Sequence, residues 1–187
     1  MKKLFILILA FLSGSCGLND SDSSKIIDGG MITAAYNVGA VESFASSFSP
    51  GLRLMLLKSD DVTPDGYSEK WNFEYSSGGL AVSYHFHTSD NGIGFDSTST
   101  FGRIGIEFIS HRWCNSDAAL KIAGMNGGRE FMQKNPGSTI KAVLSEPLVP
   151  NSSTYWYITY ISKSRSDLKL SLTIDANTSR VRKEKSD

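Results

Sequence analysis

Cysteine, proline and histidine are scarce in this chain, whose 187 residues include 2 Cys, 5 Pro and 3 His. Two cysteines cannot build the disulfide framework of a coreless secreted domain, and five prolines with 17 glycines are too few for a low-complexity chain. An excess of either charge is also missing, with 19 Lys plus Arg against 19 Asp plus Glu. No whole-chain field is left to hold a nucleic-acid backbone, so nucleic acid is not expected as a partner. The catalytic signatures G-x-S-x-G, G-x-G-x-x-G and the P-loop are absent. What is present is 40% hydrophobic, 11% aromatic and 20% charged residues, an ordinary globular balance. The chain must fold by burying a core.

The single long apolar run, Leu4 to Leu12, follows the basic start Met1-Lys2-Lys3 and precedes the small residues Ser13, Gly14 and Ser15. As a helix it would reach about 14 Å, roughly half of a ~30 Å hydrocarbon core. A signal peptide over 1–15 is therefore expected, not a membrane span. Leu12-Ser13-Gly14-Ser15-Cys16 resembles the lipobox of bacterial lipoproteins, with the aliphatic residue four places before the cysteine where that pattern has three. The resemblance implies acylation at Cys16 and lipid anchoring to a bacterial membrane in the cell envelope. Residues 17–25 are small, polar and unpatterned and read as a tether, so 16–30 is assigned to the lipidated Cys and tether. Loss of 1–15 removes Lys2 and Lys3 and no acids, which leaves a nearly neutral mature chain. With Cys16 acylated, Cys114 would have no intrachain partner and reads as a small buried hydrophobe.

A period of about 85 residues relates Trp71-Asn-Phe-Glu-Tyr75 to Trp156-Tyr-Ile-Thr-Tyr160, both W-x-[FI]-x-Y. Ser49-Pro50-Gly51 upstream corresponds to Asn135-Pro136-Gly137, Asp65-Gly66 to Pro150-Asn151, and Leu80 to Phe86 corresponds to Leu168 to Ile174. The expectation is two copies of one unit, over 31–96 and 113–187, joined by a connector over 97–112. Ile104, Ile106 and Phe108 in that connector alternate and could form a further strand.

Helical spacing comes first in each copy. Asn115 or Ser116 can cap a helix with Ala119, Ile122 and Ala123 on one face. Asn126-Gly127-Gly128 interrupts it, and Asn135-Pro136-Gly137 stops a short second turn around Phe131 and Met132. The first copy offers Thr33 to Phe48, ended by Pro50-Gly51. The period then becomes two, through Leu52, Leu54 and Leu56, then Trp71, Phe73 and Tyr75, then Leu80, Val82, Tyr84 and Phe86. The second copy alternates through Ile140, Ala142 and Leu144, through Trp156, Ile158 and Tyr160, and through Leu168 to Ile174. The fold class expected is α+β: two tandem helix-plus-antiparallel-sheet repeats in two layers. A unit this small buries too little surface alone, so the copies should share an interface or a continuous sheet.

Trp113-Cys-Asn-Ser116-Asp-Ala-Ala-Leu-Lys-Ile-Ala123, Asn126-Gly-Gly128, Trp156-Tyr-Ile-Thr-Tyr160 and Leu172-Thr-Ile-Asp-Ala176-Asn-Thr178 resemble the PepSY-type domains of bacterial secreted proteins. The likeness spans 113–181, with a fainter echo over 32–96. Ser179 stands where family members often have Gly. Such domains are similar to a cystatin-like layout and, in tandem, to β-lactamase inhibitor proteins. The resemblance implies a non-catalytic module that binds a protein or peptide, a peptidase among the candidate partners, and needs no cofactor.

Alternation turns Tyr155, Tyr157 and Thr159 away from the helix layer, and Asn72 and Glu74 likewise. Aromatics with polar tips suit a partner surface, and the alternative is cross-strand pairing that stiffens a wet sheet. His85 and His87 fall on the same outer face, with Glu74 across the sheet and His111 or Cys114 nearby. H-x-H on a strand can chelate a metal, but no third ligand sits at a diagnostic spacing, so no metal is assigned. A small-ligand or metal-binding envelope lipoprotein is the rival reading. Ser138-Thr-Ile-Lys141 and Ser166-Asp-Leu-Lys169 match S-x-x-K, but in extended chain i and i+3 point oppositely, so no enzyme is expected. Asp61, Asp65 and Gly66 imitate part of a calcium loop, yet Asn72 stands where its closing Glu belongs, and a Pro64-Asp65-Gly66 turn is expected there.

Overall fold

Pleated strands turn alternate side chains to opposite faces, so the apolar members of an alternating run gather on one side and need cover. In the computed structural model three helices supply it. Described in this structure are residues 26–27, 30–36, 38–77, 82–100, 108–109, 112–146 and 153–183. The signal peptide, Cys16, the tether to residue 25, Leu80, Ile104, Ile106, His111, Pro150 and Asn151 lie outside them.

In chain order the elements are β1 (Ile26–Ile27), β2 (Met31–Thr33), α1 (Val38–Phe48), β3 (Arg53–Ser59), β4 (Tyr67–Ser68), β5 (Trp71–Ser76), β6 (Ser83–Ser89) and β7 (Gly92–Ser99). Then follow α2 (Ser116–Ala123), a kinked turn (Gly124–Gly128), α3 (Arg129–Lys134), β8 (Thr139–Ser145), β9 (Tyr155–Ile161), β10 (Lys169–Asp175) and β11 (Val181–Lys183). Eight strands form one antiparallel sheet in the order β11-β10-β9-β8-β3-β5-β6-β7, and β1, β2 and β4 form a small second sheet. From the central β3–β8 pair the strands of each half run outward in chain order. The seam sets Leu57 opposite Leu144 and Ser59 opposite Ala142. The two-layer α+β class expected from the sequence is the class observed.

The helices all lie on one face. Phe44 of α1 packs edge-on to Phe86, Phe131 of α3 lies 6.2 Å from the Tyr160 ring, and α2 buries Ala119, Leu120, Ile122 and Ala123. Trp71, Phe73 and Tyr75, with Trp156, Ile158 and Tyr160, form the sheet side of the same core. The Trp71 and Trp156 rings meet edge-to-face at 6.0 Å, an arrangement worth about 1 kcal/mol beyond area burial. Each indole N–H would be costly to bury unpaired. Trp71 Nε1 donates to the Ile32 carbonyl at 2.9 Å and Trp156 Nε1 to the Cys114 carbonyl at 2.8 Å. Both acceptors lie in the segment leading into a helix.

Helix boundaries follow local chemistry. Asn115, extended at φ −66° and ψ 163°, accepts the Ser116 N–H and caps α2. Asn126 and Gly127 leave helical geometry, and Asn126 Nδ2 donates to the Ile122 carbonyl at 2.9 Å, which satisfies an acceptor the break exposes. Gly137, at φ +76°, turns the chain after α3. Gly66 donates to Thr63 at 2.9 Å and has φ +88°, closing the turn expected at Pro64-Asp65-Gly66.

Four expectations change. α1 begins at Val38, since Met31–Thr33 pairs with β1 and β4 as strand. In β3 the register slips between Leu54 and Leu56, a bulge that flips the phase. Leu57, not Leu56, therefore joins Leu54 on the core face, opposite Phe73, while Leu56 faces Glu74. β7 runs to Ser99, into the segment read as connector, because an edge strand with a largely exposed Gly92–Ser99 sequence shows no apolar alternation. Cys114 is buried as expected but disulfide-bonded, so its sulfur is not the inert thiol the sequence suggested.

Candidate functional site

The face turned from all three helices is built by the polar members of each alternation. Two adjacent rows cross it. One runs Thr173, Tyr157, Val143, Lys58, Asn72 and His87, and the other Asp175, Tyr155, Ser145, Leu56, Glu74 and His85. The register thus places Tyr155 and Tyr157 from one half in line with Asn72 and Glu74 from the other. Three strand spacings separate them, roughly 14 Å at ~4.8 Å each. Thr159 lies one step further along β9, beside Lys141 and Ser171.

All five of these residues are partly exposed. The Tyr155 and Tyr157 rings lie 6.4 Å apart on the same strand, so they form one aromatic patch. Glu74 accepts the Ser83 hydroxyl at 2.9 Å, which orients its carboxylate along the sheet. Lys141 donates to Asp60 at 2.9 Å, and that hydrogen bond holds the Asp60 carboxyl below its ordinary range. The face carries both signs of charge among aromatic and hydroxyl groups.

His85 stands opposite Glu74, and its Nε2 is 3.0 Å from the Ser99 hydroxyl. His87 pairs through Nδ1 with Asp96 Oδ1 at 2.8 Å, and Lys70 Nζ is 3.6 Å from the same oxygen. The imidazole of His87 packs on Gly94, where an added Cβ would overlap it. These partners hold the two rings toward β7, and among the described residues no three His, Cys, Asp or Glu side chains converge. The Ser138 and Lys141 side chains are likewise engaged apart: Ser138 donates to the Asn135 carbonyl at 2.6 Å while Lys141 reaches Asp60.

Sequence reasoning did not find a cavity of about 480 Å³ on the helix side, lined in part by Asp65, Asp117, Lys121, Arg129 and Tyr160. The signal available was the Gly124 and Gly128 pair four residues apart, the first leaving room for the Arg129 stem and the second for the tip of the inward Tyr160. Compared with known proteins, the chain matches no family model, no curated protein and no solved structure.

Proposed function

We propose that this is an exported, non-catalytic module of the cell envelope that binds a protein or peptide partner, a peptidase in the first instance, on the outer face of its sheet. The observation that carries the reading is the alignment of Tyr155, Tyr157, Asn72 and Glu74 in two adjacent rows that cross the seam. Anchoring residues on a rigid sheet lose little freedom on binding, and tyrosine combines a large contact area with a polar tip. The reading includes two copies of a PepSY-like unit, supported by the mirrored strand order and by the paired indole hydrogen bonds.

Photo-crosslinking in the native envelope tests it. A crosslinker at Tyr157 should capture a peptidase that one at Met125, exposed on the helix side, does not, and Tyr155→Ala with Tyr157→Ala should abolish both capture and any inhibition of that enzyme. Equal capture from the two positions would sink the proposal.

Export is supported by the disulfide at Cys114, since such bonds persist in oxidising compartments. Acylation at Cys16 rests on the signal layout. Intact-mass measurement tests the anchor: acyl mass on a membrane-retained protein supports it, and mature protein without acyl mass overturns it.

A further inference from the structure

The cavity beneath the turn of residues 63–66 lies between the two halves, bounded by that turn, by α2, by α3 and by Tyr160 of β9. At about 480 Å³ it is within the ordinary range of small-molecule sites. Leu120, Met132 and the Tyr160 ring give it an apolar floor. Its charged groups divide into two pairs.

Asp65 and Asp117 form one pair. The turn closes so tightly on the first residues of α2 that an added Cβ at Gly66 would overlap the Asp117 backbone, and both aspartates line the cavity there. Lys121 and Arg129 form the other. The Arg129 stem lies across Gly124, where the missing side chain gives it room, and the kink at Asn126 and Gly127 sets the direction of α3. Among the described residues none of the four makes an ion pair, although all line one cavity.

Tyr160 supplies a neutral donor to the same cavity. The residue is 1% exposed, yet its hydroxyl makes no hydrogen bond among the described residues, and it lines this cavity. The ring is buried while the hydroxyl opens to the cavity, where it can donate to a bound acceptor. Burial pushes its pKa up to about 12, so it stays a neutral donor throughout the physiological range. Gly128 is the reason it fits, since any side chain there would overlap the ring tip.

We infer that this cavity binds a small zwitterion of the amino-acid and dipeptide class, its carboxylate taken by Arg129 and the Tyr160 hydroxyl and its ammonium by Asp65 and Asp117. Arginine's planar fork suits a carboxylate, paired carboxylates suit an ammonium, and the floor accepts an apolar side chain. The site is independent of the outer sheet face.

Calorimetric titration of the purified protein with L-alanyl-L-leucine tests it, beside the N-acetylated and the C-amidated forms of the same dipeptide. Saturable binding of the free dipeptide is expected, with each blocked form at least tenfold weaker. Arg129→Gln should weaken the free dipeptide at least fivefold and leave the amide unchanged, and Asp117→Asn should do the same with respect to the acetylated form. Both residues are exposed, and an unchanged thermal midpoint of each variant will show that the fold is intact. Absence of saturable binding, equal binding of the blocked forms, or indifference to both substitutions would overturn the inference.

Discussion

Single atoms decide two features of this molecule. At Gly128 the backbone is helical, at φ −60° and ψ −42°, so alanine would suit the chain but its methyl would overlap the Tyr160 ring tip. Gly128→Ala should cost about 1–3 kcal/mol in urea unfolding, and the cost should fall by about 1 kcal/mol or more in a Tyr160→Leu background, which removes the obstacle. At Ser179 the obstacle is backbone: φ is +62°, the left-handed region, and its N–H donates to the Asp175 carbonyl at 2.9 Å to close the β10–β11 turn. Relief of that strain competes with glycine's greater unfolded freedom. Ser179→Gly should therefore be neutral or stabilising by up to about 1 kcal/mol, whereas Ser179→Val should destabilise by roughly 1–2 kcal/mol in the same assay.

Elements are held in place by buried polar contacts as much as by apolar area. The start of α2 shows this. Ser116 Oγ donates to the Gly66 carbonyl at 2.6 Å and accepts the Ala34 N–H at 3.0 Å, while Asn115 Oδ1 accepts the Ala35 N–H at 3.0 Å. The helix of one half is thus bolted to the turn and the entry segment of the other. Ser116→Ala would leave a buried carbonyl and a buried N–H unpaired, so a loss of about 2–4 kcal/mol is expected by chemical denaturation. Ser116→Thr, which keeps the hydroxyl, should recover part of it. The sequence marked Asn115 and Ser116 as alternative caps, and the structure uses both: Asn115 caps α2, and the two together make the contact between halves. Only the first use is local, which is why only the first was legible.

At the scale of the whole molecule, the two halves meet through the β3–β8 pair and a few side chains across it. Lys141 of β8 and Asp60 after β3 form one such link at 2.9 Å, with both groups well exposed. The Asp60 carboxyl is held below its ordinary value of 3.8, first by the hydrogen bond from Lys141. A depressed carboxyl stabilises the fold above its unfolded pKa, and the contribution disappears as pH falls through the folded value. Asp60→Asn should therefore cost no more than about 0.5 kcal/mol at pH 7 and low salt, and nothing once the wild-type carboxyl is protonated below its folded pKa. Unfolding midpoints across pH 2–7 would check this, and a penalty that persists at the acid end would contradict it.

By itself the sequence determined which face each regular strand presents and where the chain must stop and turn. Alternation at Trp71, Phe73 and Tyr75 and at Trp156, Ile158 and Tyr160, the Asn115 cap and the Asn135-Pro136-Gly137 stop are local rules, satisfied within a few residues. Tertiary structure decided the rest. The bulge that sends Leu57 inward in place of Leu56, the edge strand β7, the β3–β8 seam and the cavity under Gly66 each depend on a partner far along the chain. A strand carries its period in its own side chains, but its neighbour is chosen only when distant backbone groups must find hydrogen bonds, and that choice aligned the two tyrosines with Glu74.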